Sequence, residues 1–525
     1  MDTLKDFIYS RKTKLLFIFL FIFYTARALL IGSYSSEHLI NFIPDDAFYY
    51  LNMVKHKIND GFWSFDGSNP ATGFHILFAY LLTAIANLAS PENWLTIFKI
   101  NTAISILFLS TACTIIYKTI RWYFSEKASV AALAVFTTPV MLIQPTMIME
   151  SSLVILLASL SSCTILNPKI KSRYLSIKIA LISLGILTSL ARSDAALTIG
   201  CIFLVSFTFC ILDKKNSLEE IRTKALWALS GTIIGLALSF THNYFVSGHI
   251  LQSSAHVKSF WSQIIGYNLE PSARLAGLTI LPIAQKSSLA FQIPILTLIS
   301  LSLLLFIKNN KFSNKNLITF IGIFSFFGYL FFYGANSQSI QYWYISNFSI
   351  PAVFLLASII ESIPHKLKSI FLYVIIIFSI GSCLKNYTKP IYKNQQGMYL
   401  LAKNHMPPQT QNNRVYASWN AGILGYFSKT GLINIDGLAN DSIVEYITSG
   451  NLYQYLINNK ITHIVDYESM FTNQELIVRG GYDEKISDCL TLEYEDTEID
   501  RNWMNTNIGI YDVDQLCLKD LLNKD

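Results

Sequence analysis

The chain has 525 residues, 52% of them hydrophobic and only 14% charged, where a soluble globular domain carries roughly 25% charged residues. Its net charge of +6 divides unevenly: residues 1–385 hold 29 Lys and Arg against 16 Asp and Glu, and residues 386–525 hold 11 against 18. The basic excess lies in short loops between apolar runs, which argues against a soluble enzyme or a nucleic-acid surface and for a polytopic α-helical membrane protein.

Apolar runs of about 17–20 residues, the length that crosses a bilayer core of roughly 30 Å, recur from Leu15 to Leu384. The first follows Lys5, Arg11, Lys12 and Lys14, and Ile31-Gly32-Ser33 is a weak match to a cleavage site. It reads as an uncleaved span rather than a signal peptide. Basic clusters precede residue 15 and recur at 118–127, 169–178, 214–224, 308–315 and 366–368. If all six are cytoplasmic, the spans pair into hairpins. They run over about 15–32, 96–117, 129–146, 151–166, 177–191, 195–212, 225–241, 288–307, 317–333, 345–361 and 369–385. That makes about eleven, with the N-terminus inside and the tail outside. The run from Gly73 to Ala89 would reverse every later loop if it crossed, so it reads as a half-embedded or re-entrant helix of the first outer loop.

Two units follow, a membrane module of residues 1–385 and an extracytoplasmic tail of residues 386–525. In the tail, RVYASW (414–419), INIDG (433–437) and THIVDY (462–467) read as strands among amphipathic helices, with Asn420 able to cap the helix that begins at Ala421. Alternation of this kind predicts a small α/β domain. Five of the seven cysteines lie in apolar runs. Cys489 and Cys517 lie in the tail, where they form a disulfide in an oxidising compartment or stay as two thiols.

This topology gathers the carboxylates of the span ends on one face. The first outer loop, about 33–95, holds Asp45, Asp46, Asp60, Asp66 and His75. The second, QPTMIMESS, holds Glu150, and the third is the turn from Ala191 through Arg192 and Ser193 to Asp194. The fourth, about 242–287, carries Lys258, Trp261 and Arg274. The fifth, GANSQSIQYWYISN, carries Tyr342, Trp343 and Tyr344. Ionisable groups at span ends are costly and face cavities, so their convergence marks a site. Plain alternatives stand beside this. Asp45 and Asp46 together read as a helix cap and a first-turn acid. Arg192 and Asp194 read as a structural bridge, and the three aromatics as an interfacial belt. The histidines of the outer loops show no tight ligand spacing, so no metal site is assigned. A divalent ion stays open, because His75 and the Asp pair could meet in three dimensions.

PDDAFYYL (44–51) followed by NPATGFHILF (69–78) resembles the first outer loop of GT-C superfamily glycosyltransferases, the polyprenyl-phosphate-sugar-dependent enzymes that include aminoarabinose transferases and protein O-mannosyltransferases. Ile76-Leu77 stands where Pro-Leu is common. Met149-Glu150-Ser151 resembles the family's "GMEt" signature and Ala191–Asp194 its "aRxD" turn. His256-Val257-Lys258 resembles the end of a "PxSgxxK" loop whose Pro is missing here. In the tail, Ala421–Ser428 and Asn434–Leu438 resemble "DAGxLGYFS … vNLDGL", with Asn420 in place of the Asp.

The resemblance implies the GT-C fold and an inverting transfer of a sugar from a polyprenyl-phosphate donor to an envelope glycolipid, polysaccharide or protein. The reaction would take place on the outer face of a bacterial cytoplasmic membrane. Such a transfer needs a base for the acceptor hydroxyl and cations for the phosphate. Asp45 is the expected base, with Asp46 second, because adjacent side chains point in different directions. Glu150 joins them. Lys258 and Arg274 are the outer cations best suited to a phosphate, and Arg192, Asp194, His75 and Tyr342 complete the expected site. The rivals are a ligase or polymerase of lipid-linked glycans, a transporter or flippase, and a non-catalytic assembly protein.

Overall fold

The computed structural model describes residues 11–213, 216–265, 313–336, 341–393, 395–406, 414–482, 485–496 and 507–523. Among these, seven helices are long and apolar enough to cross a membrane: Arg11–Gly32, Trp94–Arg121, Ser193–Leu212, Leu218–Ser247, Asn314–Tyr333, Tyr344–Ser362 and His365–Asn386. The chain is a multi-pass membrane protein. Ten of the eleven expected spans coincide with helices, and the span expected at 288–307 lies outside the described residues.

One of the ten is not a simple span. The run 129–146 is broken into Glu126–Thr137 and Pro139–Thr146, which meet at 56°. Thr138 precedes a proline and is held extended, at φ −78° and ψ 155°, because the proline ring disfavours a helical residue before it. Two other helices, Ser151–Leu166 and Leu175–Ala191, have 16 and 17 residues. At 1.5 Å per residue they are about 24–26 Å long, short of the bilayer core. Their neighbours Glu150 and Arg192 are accordingly recessed into the bundle, 0% and 2% exposed. Ile76–Ala89, with 14 residues, is shorter still.

The basic clusters meet at the opposite end. Lys12 pairs with Glu126 at 2.5 Å, Lys127 donates to Ser369 at 2.7 Å, and Glu361 pairs with Lys315 at 2.8 Å and Lys368 at 3.3 Å. Lys224 donates to the Asn167 carbonyl at 2.6 Å. Inside the bundle, buried Arg27 donates to the carbonyls of Leu142 (3.2 Å) and Tyr387 (3.1 Å) and to Thr146 Oγ1 (2.9 Å). It thereby pins the first span to the broken span and to the end of the last one. Carbonyls at helix ends are natural partners for a cation that has no carboxylate.

The tail forms a five-stranded sheet from β1 (Tyr416–Ser418), β2 (Leu432–Asn434), β3 (His463–Tyr467), β4 (Leu490–Glu495) and β5 (Ile508–Val513). The order is β2-β1-β3-β5-β4, with β1 parallel to β2 and β3, and β5 antiparallel to β3 and β4. The three expected strands are present, and β4 and β5 add an antiparallel edge. Cys489 and Cys517 are disulfide-bonded, their Cα atoms 5.4 Å apart, which ties the start of β4 to the helix Gln515–Leu522.

The tail does not hang free of the first loop. The Asp441 carboxylate accepts from the Thr72 N–H and hydroxyl, both at 2.6 Å, and the Asp441 N–H donates to the Pro70 carbonyl at 2.9 Å. At Gly73 a Cβ would lie 1.5 Å from the Leu438 carbonyl oxygen, so only glycine allows the two backbones to meet there. Ser253, at the start of the helix Ser253–Ile265, donates to that same carbonyl at 3.1 Å. First loop, fourth loop and tail are thus joined at one place.

Candidate active site

The site is built on the helix Asp45–Asn59, which starts after Pro44 at the N-cap. Successive residues on a helix point about 100° apart, and here that separates the two aspartates. Asp45, Phe48 and Asn52 face the tail helix Ala421–Phe427. The Asp45 carboxylate accepts from Ile423 N–H at 2.7 Å and Gly422 N–H at 3.2 Å, and Asn52 donates to the Gly422 carbonyl at 3.3 Å. Phe48 packs on Phe427 with ring centroids 5.3 Å apart. Asn420, expected to cap this helix, bonds Asp466 instead at 2.7 Å, and Asp45 supplies the cap from 378 residues away in sequence.

Asp46, Tyr49, Tyr50 and Met53, the i, i+3, i+4 and i+7 positions, line a polar cavity together with His75, Glu150, Lys258 and Tyr344. The side chain at the cavity is therefore that of Asp46, the second of the two expected bases, and not that of Asp45. Among the described residues the Asp46 carboxylate accepts no hydrogen bond from another residue. Burial raises its pKa, with the Lys258 charge pulling the other way. Burial pushes Asp45 up to about 7, opposed by the Ile423 N–H and reinforced by the charges of Asp46 and Asp436.

The other cavity groups are held tightly. Glu150 accepts from Arg192 at 2.6 Å and from the Tyr50 hydroxyl at 3.4 Å. Arg192 grips Asp194 with two bonds of 2.8 Å, and the Tyr333 hydroxyl and Asn347 amide also donate to Asp194. Arg192 and Asp194 are a structural bridge that also fixes Glu150. His75 Nε2 lies 3.7 Å from Glu150, but burial lowers its pKa to about 4, so the ring is neutral and the contact is no ion pair. Lys258 donates to the Tyr344 hydroxyl and stands 5.1 Å from that ring, while Arg192 lies 4.4 Å from the same ring. Burial disfavours the Lys258 charge, but Tyr344 and Asp46 outweigh it and keep the ammonium protonated.

Tyr342 is not at the cavity. Its carbonyl accepts from Gln144 at 3.0 Å and its ring meets Tyr392, while Trp343 and Tyr344 take the place expected for it. Arg274 lies outside the described residues. Tyr333 and Asn347 were not anticipated, although a lone Asn within an apolar run was their visible signal. Among the described residues no group of three or more His, Cys, Asp or Glu is placed to hold a metal ion. Glu150 and Asp194 are already committed to Arg192.

No protein-family model matches the chain, and no curated protein matches it in sequence. Solved structures do match in fold. The archaeal oligosaccharyltransferase AglB from Archaeoglobus fulgidus, in complex with an inhibitory peptide and a dolichol-phosphate, superposes with a TM-score of 0.56 at 12% identity, over 92% of this chain and 73% of that one. The oligosaccharyltransferase of the same organism tethered to an acceptor peptide gives 0.54 at 12% identity, over 93% and 73%. ArnT from Cupriavidus metallidurans bound to undecaprenyl phosphate gives 0.52 at 10% identity, over 94% and 97%. The chain shares the fold of these oligosaccharyltransferases and of ArnT. At these identities the likeness defines the architecture, and the chemistry rests on the cavity.

Proposed function

We propose that the chain is an inverting membrane glycosyltransferase that moves a sugar from a polyprenyl-monophosphate donor to an envelope acceptor. The reaction takes place on the outer face of a bacterial cytoplasmic membrane. The observation that carries this reading is that the Asp46 carboxylate, which accepts no hydrogen bond from another residue among the described ones, shares one polar cavity with the Lys258 ammonium. Asp46 takes the proton of the acceptor hydroxyl as its oxygen bonds to the anomeric carbon. The carbon–oxygen bond to phosphate breaks, its electron pair stays on the phosphate, and polyprenyl phosphate leaves facing Lys258. A carboxylate whose pKa is raised is the stronger base for this task, and a fixed cation favours the developing charge. Neutral His75 and the Tyr50 hydroxyl offer hydrogen bonds to sugar hydroxyls. Glu150, Arg192 and Asp194 keep the wall rigid.

The division into residues 1–385 and 386–525 is part of this reading, with the tail as the second wall of the site. The Cys489–Cys517 disulfide supports a tail in an oxidising compartment. The polyprenyl phosphates bound by AglB and ArnT support the donor class. The broken span favours a transport reading, but its break is Thr138-Pro139 and carries no charge.

The test is sugar transfer in cells carrying wild type, Asp46→Asn or Asp45→Asn at matched levels, read by mass spectrometry of envelope lipids, glycans and glycoproteins against a deletion strain. Asp46→Asn should lower transfer by about 10²–10⁴-fold and reproduce the deletion, while Asp45→Asn retains part of the activity. Wild-type transfer by Asp46→Asn would remove the base from this scheme. Transfer by the purified wild type in detergent, where there is no second compartment, separates an enzyme from a transporter.

A further inference from the structure

Tyr49 lines the cavity one turn beyond Asp46, on the same face of the helix Asp45–Asn59. Its hydroxyl belongs to the tail. It donates to Asp436 Oδ2 at 2.8 Å, with the Trp419 carbonyl 3.1 Å away as the weaker acceptor. It accepts from the Ala421 N–H at 3.0 Å and from the Asn434 amide at 3.4 Å. All four partners are tail groups, so the hydroxyl is occupied before any substrate arrives. Together with the Asp45 bonds to Gly422 and Ile423, it fixes the rotation of the helix about its axis. That rotation is what turns Asp46 to the cavity.

Asp436 is the far end of this anchor, and it is 1% exposed. Its Oδ1 accepts from the Leu438 N–H at 2.6 Å, around Gly437 at φ +75°, which is the ordinary role of an Asp or Asn in a turn. Its Oδ2 instead crosses to Tyr49. Leu438 also lines the cavity, so one carboxylate holds a lining residue of the tail and a lining residue of the first loop. The turn alone would be served by Asn, without the cost of a buried charge. The ionised form of Asp436 is favoured by hydrogen bonds from Leu438, Tyr49 and Asn434 rather than by a cation, while burial and the charge of Asp46 push it up to about 7. Asp46 is faced across the cavity by Lys258, Glu150, neutral His75 and the phenols of Tyr50 and Tyr344. The charge of Arg479 acts on it from the tail, and Asp45 lies beside it on the helix.

We infer that Asp436 is a positioning residue of the transfer site: through Tyr49 it fixes the helix face that carries Asp46, and it sets a negative charge behind that face that strengthens Asp46 as the base. This rests on the glycosyltransferase reading, in which Asp46 takes the acceptor proton. A nearby negative charge disfavours an ionised carboxylate and makes it bind a proton more tightly.

The experiment is an infrared pH titration of the full-length protein in detergent over about pH 4 to 9, with the carboxyl band of Asp46 assigned by its loss in Asp46→Asn. Sugar transfer in cells is read alongside by mass spectrometry. Asp436→Asn keeps the turn, because its side-chain carbonyl still accepts from Leu438, and removes the charge. It should leave the melting temperature near wild type, move the Asp46 midpoint down by about half a pH unit to one unit and lower transfer about three- to tenfold. Tyr49→Phe removes the link and keeps the charge, and it should lower transfer by a similar factor. An unmoved Asp46 midpoint in Asp436→Asn would overturn the inference whatever the melting temperature, since Asp436 would then be only a turn residue. Wild-type transfer by Tyr49→Phe would overturn it as well, and so would the absence of any band that Asp46→Asn removes. Wild-type transfer by Asp46→Asn is a separate failure: it removes the base from the glycosyltransferase reading, while the titration, which needs no substrate, still reports whether Asp436 acts on Asp46.

Discussion

The two ends of the helix bundle both carry ion pairs, in opposite surroundings. At the basic end, Lys12 and Glu126 meet with 68% and 45% of their side chains exposed, and Lys315 reaches Glu361 from 53% exposure. At the tail end, Arg192 is 3% exposed between Glu150 at 1% and Asp194 at 8%. Water and salt screen the first set, which therefore does little for stability. The second set is shielded, and its charges are committed to one another by geometry. Buried ion networks are weak stabilisers compared with apolar packing, yet breaking one is costly. A fold that keeps such a network beside a polar cavity uses it to hold groups in place.

The largest effect on stability should follow from breaking that network. Arg192→Met leaves Glu150 and Asp194 buried without their cation, which should cost roughly 3–5 kcal/mol, read as a lowered unfolding midpoint in detergent. Neutralising the stranded acids in the triple variant Arg192→Met/Glu150→Gln/Asp194→Asn should recover most of the stability and little of the sugar transfer. A single variant as stable as wild type would mean that water reaches this end of the bundle as well.

The contrast between the two ends was partly written in the sequence. Span positions followed from apolar length, and basic loops marked one end, because both signals are local and additive. The first loop was legible as the place of the site, but which face of the helix Asp45–Asn59 meets the cavity was not: Asp45 was the expected base, and the cavity stripe is Asp46, Tyr49, Tyr50 and Met53. What covers the other face was not legible. The partners of Asp45 are backbone groups of Gly422 and Ile423, and nothing in either stretch encodes their meeting. The break at Thr138-Pro139 was visible as a residue before proline, but hydropathy counts length and ignores direction. Choosing Tyr342 over Tyr344 was a register error in the short turn that precedes the 3-10 stretch Tyr344–Phe348, where Trp343 and Tyr344 reach the cavity and Tyr342 stays on its flank. Strand β4 lies at the sheet edge with its middle exposed, so LTLEYE carries no clear buried face.

A smaller effect distinguishes the two aspartates within the tail end. In Asp45→Asn an amide replaces a carboxylate that accepts two N–H bonds, so one acceptor is lost, at about 1–3 kcal/mol. The pH dependence is the sharper readout. With a folded pKa of about 7 against about 3.9 in the unfolded chain, the native state binds the extra proton between those values. Stability contributed by Asp45 is therefore lost as pH rises from about 4 to 7, by at most roughly 1.4 kcal/mol per unit. Asp436, also pushed up to about 7 by burial, adds a slope of the same sign. The gap between wild type and Asp45→Asn should narrow as pH rises from 5 to 8. A widening gap would mean that the two N–H bonds hold Asp45 ionised throughout.

The smallest effect belongs at the basic end. Lys12→Ala removes an exposed pair, and the unfolding midpoint and sugar transfer should stay at wild-type values in low and high salt alike. The charge has a different use there. Orientation responds to the number of Lys and Arg residues near a span, whether or not they are paired. Lys5, Arg11, Lys12 and Lys14 all precede the first span. Reversing all four to Glu should impair insertion, and a reporter cysteine placed in the tail would lose its labelling by an impermeant reagent in intact cells. If the single substitution destabilised the protein as much as Arg192→Met, the two ends would not differ in the way their exposure implies. If the fourfold reversal left labelling unchanged, later loops would be setting the orientation instead.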